Sequence, residues 1–186
     1  MDFETTPLRD VFIVKPRRFG DDRGYFMETF KHQEFLEATG KSFGFVQDNF
    51  SYSRKKNTLR GLHFQAAPRE QGKLVRCVKG AILDVAIDVR LGSPTFKNWI
   101  AVELTAENDK QIWVPPGFLH GFLTLLPHSE VAYKCTDYFA KETEGSVIWN
   151  DPDLAVDWGV GTHDVILSEK DRKSQSFASL DNPFVY

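Results

Sequence analysis

Apolar and polar residues alternate along most of this chain with a period of two, and the alternation is broken at short intervals by glycine, proline and asparagine. That pattern predicts many short strands. Residues 8–15 read as a strand that Pro16 ends, because proline has no N–H to give a ladder. Gly20-Asp21-Asp22-Arg23-Gly24 is a turn leading into the alternating run 25–30. Further strands are predicted over 45–53, 59–65, 74–78, 81–89, 99–104, 111–114, 118–125, 130–136 and 146–149. Two stretches read as helix: residues 31–38, closed by Gly40, and a late turn opened by Ser168, with Asp171 three residues on in a variant of the capping box. Many short strands with Gly/Pro corners indicate a mainly β sandwich or small barrel with a few short helices.

Three strands carry an unusual face. In 45–53 the polar residues Gln47, Asn49, Ser51 and Ser53 fall on one side, where amides and hydroxyls could meet a ligand. In 81–89, Leu83, Val85, Ile87 and Val89 share one face, and Ile82, Asp84, Ala86 and Asp88 the other. Two aspartates on so apolar a strand face either solvent or a polar cavity, and a barrel with a wet interior accommodates the second. In Leu59-Arg60-Gly61-Leu62-His63-Phe64-Gln65, strict alternation groups Leu59, His63 and Gln65 against Arg60, Leu62 and Phe64. A histidine flanked by apolar residues sits partly dry and can trade a proton near neutral pH. Alone, it reads first as a core histidine holding one hydrogen bond.

Composition narrows the setting. The chain has 186 residues, enough for one domain over 1–186 with a sizeable core. It is 41% hydrophobic and 26% charged, and its 16 phenylalanines suit strands and a crowded interior. A formal net charge of −3 argues against a nucleic-acid binder, while leaving room for a local cationic pocket. Cys77 and Cys135 are far apart and in no metal-like spacing, which fits a reducing cytoplasm. No apolar run approaches the roughly 18 residues of a membrane helix, and the N-terminus lacks the pattern of a signal peptide.

Two motifs together resemble the cupin pattern. Pro115-Pro116-Gly117-Phe118-Leu119-His120 matches its Pro-x-Gly-x-x-His element, but where a metal cupin has His-x-His this chain has His63-Phe64-Gln65. Lys73 stands in the region of the third ligand, and a protonated ammonium is no ligand. The expectation is a cupin-type jelly roll or β-barrel with no metal and no cofactor, in which another group supplies the electrophile.

Nearly end to end, the chain is similar to the dTDP-4-dehydrorhamnose 3,5-epimerases. The resemblance is carried by Asp21-Asp22-Arg23-Gly24-Tyr25-Phe26-Met27-Glu28, Gln47-Asp48-Asn49-Phe50-Ser51 and the 59–65 strand. It continues through Gln71-Gly72-Lys73, Val114 to Phe122, Trp149-Asn150-Asp151-Pro152 and Leu167-Ser168-Glu169-Lys170-Asp171. It implies a dTDP-linked 4-keto-6-deoxy sugar as substrate, whose C3 and C5 hydrogens are acidified by the C4 ketone. Inverting each centre takes a base on one face and an acid on the other. By resemblance His63 is the base, Tyr133 the acid, Asp171 the carboxylate that fixes His63, and Lys73 the partner of the enolate oxygen. The family match puts Arg23 and Arg60 on the pyrophosphate and Gln47 and Asn49 at the thymine edge or nearby backbone, with Asp48 also among the substrate-binding positions. Tyr138 falls at a position that stacks on the base, and Glu28, His120, Glu144 and Lys170 at further substrate contacts. His120 assists at the sugar or is held by Asp84. A homodimer is also implied, with Arg23, Phe26 and Glu28 crossing to the partner's pocket. Three other readings stand beside this one: a relative inverting only C3 or only C5, a metal cupin, and a sugar-binding module without catalysis. Alternation also leaves one conflict, since it separates Arg60 from His63.

Overall fold

A computed structural model describes residues 1–186. Thirteen strands form in chain order: β1 (Asp2–Thr5), β2 (Phe12–Lys15), β3 (Arg18–Asp21), β4 (Gly24–Met27), β5 (Gln47–Ser53), β6 (Leu59–Gln65), β7 (Lys73–Lys79), β8 (Ala81–Asp88), β9 (Trp99–Thr105), β10 (Gln111–Val114), β11 (Phe118–Thr124), β12 (Ser129–Cys135) and β13 (Glu144–Ser146). Helix α1 spans His32–Thr39 and ends at Gly40, whose φ of 67° gives the left-handed stop expected there. Helix α2 is a single turn, Glu169–Arg172. β1 was not anticipated; it forms because Phe3 can pack against Phe35 under the outer layer.

Two antiparallel sheets face each other. The first runs β1-β2-β10-β7-β12-β5 and the second β13-β6-β11-β8-β9, while β3 and β4 make a separate hairpin. This is the double-sheet arrangement of a jelly roll, as the strand pattern and the cupin-like motifs indicated. Between the sheets lies an apolar cluster that includes Ile13, Val75, Ile82, Leu104, Ile112, Phe122 and Val131. The outer face of the first sheet is sealed by α1 and its surroundings, where Phe35 meets Trp113 edge-on with ring centroids 5.0 Å apart.

The outer face of the second sheet is covered by the C-terminal coil. Val147, Trp149, Leu154, Trp158, Phe177 and Phe184 pack against Leu59, Leu62, Val85, Ile87 and Leu119. That second cover explains β8. Its all-apolar face (Val85, Ile87, and Val89 just beyond) meets the coil, and its mixed face turns inward. Neither aspartate reaches solvent. Asp84 faces His120, and Asp88 is held by Arg90, Ser93 and Thr95 at one end of the sandwich.

Candidate active site

The expected alternation in β6 fails at one point, and the failure builds the site. β6 pairs with β11 as His63 opposite His120 and Arg60 opposite Phe122, so three steps along β6 span two along β11. The extra residue is a β-bulge. Leu59 therefore joins Leu62 and Phe64 on the outer face, under the coil, instead of sharing a face with His63. Arg60 and His63 both line the cavity, which removes the conflict that strict alternation posed. Gly61 makes this possible. Its φ is 135°, and a Cβ there would lie 2.6 Å from the Gly121 Cα on the neighbouring strand.

The cavity holds about 890 Å³ and opens between the two sheets. β5 supplies its polar face as expected, with Gln47, Asn49 and Ser51 turned in and Asp48, Phe50 and Tyr52 turned out. The same alternation corrects the placement of Asp48: it points away from the sugar-sized space and pairs with Lys134 at 2.9 Å. Gln47 and Asn49 spend part of their capacity on each other, Gln47 Nε2 donating to Asn49 Oδ1 at 3.0 Å.

His63 rises from the second sheet. One of its nitrogens, Nε2, lies 2.6 Å from Asp171 Oδ1. Asp171 is 3% exposed and does two jobs. Its N–H donates to the Ser168 hydroxyl, capping α2, while that hydroxyl donates to Asp171 Oδ2 at 2.8 Å. Burial raises the Asp171 carboxyl, but His63, Ser168 and Lys170 outweigh it and hold it below the usual carboxylate range. Facing His63 from the first sheet is Tyr133 on β12. Burial, reinforced by Cys135 and Glu144, pushes its phenol up against the opposing pull of Arg60 and Asn49.

Lys73 opens β7 beside Tyr133 and makes no ion pair. Desolvation drives its ammonium below the ordinary lysine value, despite the nearby Cys135, Asp84 and Glu144. The other pocket charges are mostly matched: Lys170 with Glu144, His63 with Asp171, His120 with Asp84 at 2.9 Å. Arg60 binds only neutral oxygens, Ser53 Oγ and the Tyr52 carbonyl. Arg60 and Lys73 are thus two cations without an acidic partner, which suits an anionic ligand.

His120 is the buried histidine held by Asp84, and it still lines the cavity. Gln65, in place of a second cupin histidine, is turned onto the backbone of Arg69, Tyr138 and Ala140. No group of three or more His, Cys, Asp or Glu side chains is placed to hold a metal ion.

Besides Asp48, three expected residues stand apart from this chain's cavity. Arg23 is 90% exposed at its side chain and pairs with Asp21 in the β3–β4 hairpin, and Glu28 pairs with Lys31. Tyr138 is exposed at the rim, while its neighbour Phe139 lines the wall. Phe139 and Gln71 were missed in sequence. The first follows Tyr138, which the family match singled out; the second had no sign beyond its place in a matched stretch.

The family model described as dTDP-4-dehydrorhamnose 3,5-epimerase matches residues 5–179. The chain belongs to that family. It is 51% identical to the dTDP-4-dehydrorhamnose 3,5-epimerase of Salmonella typhimurium over 153 residues, covering 82% of this chain and 83% of the relative. It is 46% identical to that of Shigella flexneri, covering 97% of this chain and 98% of the relative. Among solved structures it is similar to the dTDP-6-deoxy-D-glucose-3,5-epimerase of Legionella pneumophila in complex with dTDP-4-keto-L-rhamnose. There the identity is 44% and the TM-score 0.94, over all of this chain and 98% of the other. Epimerase chemistry and the cupin-like fold follow for this member as well.

The bulge carries a prediction. Gly61→Ala puts a methyl into the Gly121 backbone and an L-residue at φ 135°, and is expected to cost roughly 1–3 kcal/mol. Denaturant unfolding measures this. Activity per folded molecule should fall by about tenfold or more, because a β6 that loses its offset cannot turn both Arg60 and His63 inward; an active, fully stable variant would contradict it.

Proposed function

We propose that this chain, acting as one domain over residues 1–186, converts dTDP-4-dehydro-6-deoxy-D-glucose to dTDP-4-dehydro-L-rhamnose by inverting C3 and C5, with His63 as base and Tyr133 as acid. The observation that carries the assignment is that His63 and Tyr133 enter one cavity from opposing sheets, with the unpaired Lys73 beside Tyr133. A substrate ring between those walls presents opposite faces to the two groups.

His63, held at Nε2 by Asp171, takes the proton from C3 or C5 through its other nitrogen. The C–H electron pair moves into the C4 carbonyl, giving an enolate. The Lys73 ammonium lies where it can stabilise the negative O4, doing electrostatically what a metal would do in other cupins. Tyr133 then gives its proton to the carbon from the other wall, the ketone re-forms, and the centre is inverted. A raised phenol stays protonated at neutral pH and so remains a donor. Before the second centre reacts, His63 releases the proton it took and the Tyr133 phenolate takes one back, both by exchange with water. Arg60 receives the pyrophosphate, where a guanidinium offers parallel donors. Glu144 and Lys170 border the sugar, His120 sits on its inner side, and Tyr138 meets the base at the rim. Gln47 and Asn49 border the nucleotide, Asp48 supporting β5 from outside.

We also infer a homodimer working in the cytoplasm. The free, buried Cys77 and Cys135 suit a reducing compartment, and no helix is long and apolar enough to cross a membrane. Phe26 and Tyr25 on the hairpin, and Phe50 on the edge strand β5, are large exposed apolar groups that a second copy would cover. Arg23 and Glu28 would then serve the other copy's pocket.

In deuterated water the 4-keto substrate should gain deuterium at both C3 and C5. Label at one carbon indicates the single-centre epimerase, and no label a binder. Lys73→Met should cut turnover by about a hundredfold or more with a modest change in KM; unchanged turnover rejects the electrophile. The folded Lys73 pKa is depressed, so below the unfolded value its protonated form is disfavoured by folding, and that cost is relieved only as pH rises past the folded value. Met at 73 should therefore raise Tm at neutral pH, and wild-type activity should fall on the alkaline side at a pH below the ordinary lysine value of about 10.4. Finally, co-expressed Arg23→Ala and His63→Asn chains, each weak or dead alone, should regain activity in the mixed dimer. No recovery would place Arg23 outside the partner's pocket.

A further inference from the structure

Three glutamine side chains from separate parts of the chain converge on one stretch of backbone, residues 137–140, at the mouth of the cavity. Gln71 Nε2 donates to the Asp137 carbonyl at 2.8 Å. Gln65 Nε2 donates to the Tyr138 carbonyl at 2.9 Å, and Gln65 Oε1 accepts the Ala140 N–H at 2.9 Å. Gln47 Oε1 accepts the Phe139 N–H at 3.0 Å. All three glutamines line the cavity.

This stretch has no regular structure, so its polar backbone groups need partners from elsewhere. Two carbonyls and two N–H groups in succession are answered by side-chain amides. A side-chain amide both donates and accepts without carrying charge, so the residue type fits the task and adds no net charge to the cavity. What the clamp holds in place is a pair of aromatic rings. Tyr138 and Phe139 are 59% and 55% exposed, on a segment that would otherwise be free to swing. A rigid aromatic rim beside two unpaired cations is suited to a flat, apolar-faced group attached to an anion.

We infer that Gln47, Gln65 and Gln71 are positioning residues that set Tyr138 and Phe139 as a platform for the nucleobase end of the substrate. This rests on the nucleotide-sugar reading given above. It gives Gln65 a reason to replace a metal-binding histidine, and it gives Gln47, at the border of the nucleotide, a supporting bond to the platform as well.

The test is Gln71→Met in the full chain, which removes one bond of the clamp at a partly exposed position. KM for the dTDP-sugar and the calorimetric Kd for dTDP alone should rise together by about fivefold, with kcat within about twofold of wild type. Gln71→Glu, the same size but unable to donate when ionised, should do at least as much. Unchanged KM and Kd in both variants would overturn the inference. So would a loss of kcat in step with a lowered Tm, the mark of general packing damage. Wild-type protein that binds dTDP but exchanges no deuterium would instead overturn the epimerase reading and leave the clamp measurable by Kd. Wild-type protein that does not bind dTDP would overturn both.

Discussion

The site depends on a one-residue offset between β6 and β11. A regular β6 would place either Arg60 or His63 in the cavity, never both, because side chains of a strand alternate strictly. The bulge at Gly61 breaks that rule once. It also sends Leu59 to join Leu62 and Phe64 beneath the C-terminal coil. Arg60 and His63 are therefore neighbours in space because the outer face of the strand is apolar on both sides of the bulge. Gly121 across the way is what allows the two backbones to approach so closely.

Charge in the cavity is organised by pairing. Each acidic group has a defined partner, and Asp171 has two, His63 and the Ser168 hydroxyl. Arg60 and Lys73 are the two cations without an acidic partner. An unpaired, desolvated ammonium is unfavourable in the empty protein, and desolvation lowers the Lys73 pKa accordingly. Such an arrangement is consistent with an enzyme that stores electrostatic stabilisation for a charge that exists only during turnover.

Much of this was legible in the sequence. The period-two pattern located most strands, Gly40 marked the end of α1, and Ser168 marked the start of α2. Gln47 and Asn49 were readable as an inward polar face because strand alternation is local physics. His63, Lys73, Tyr133 and Asp171 came from resemblance, since nothing local tells a histidine on one sheet that a tyrosine faces it from the other. What was not legible was whatever depends on distant covers. Leu59 was assigned to the wrong face because a bulge is a property of two strands. The split faces of β8 made sense only with the coil from 147 onward in place. Phe139 was passed over, since the Gln47 amide that bonds its N–H comes from far along the chain.

Asp171 belongs to that late coil, 108 residues beyond His63. During synthesis the strands of both sheets precede the carboxylate that bonds His63. The nascent chain thus carries a histidine, a tyrosine and a lysine in a half-covered barrel, without the group that aligns them. Phe177 and Phe184 of the cover lie beyond residue 171, so a chain cut short before that point lacks both the Asp171 carboxylate and the last part of the cover.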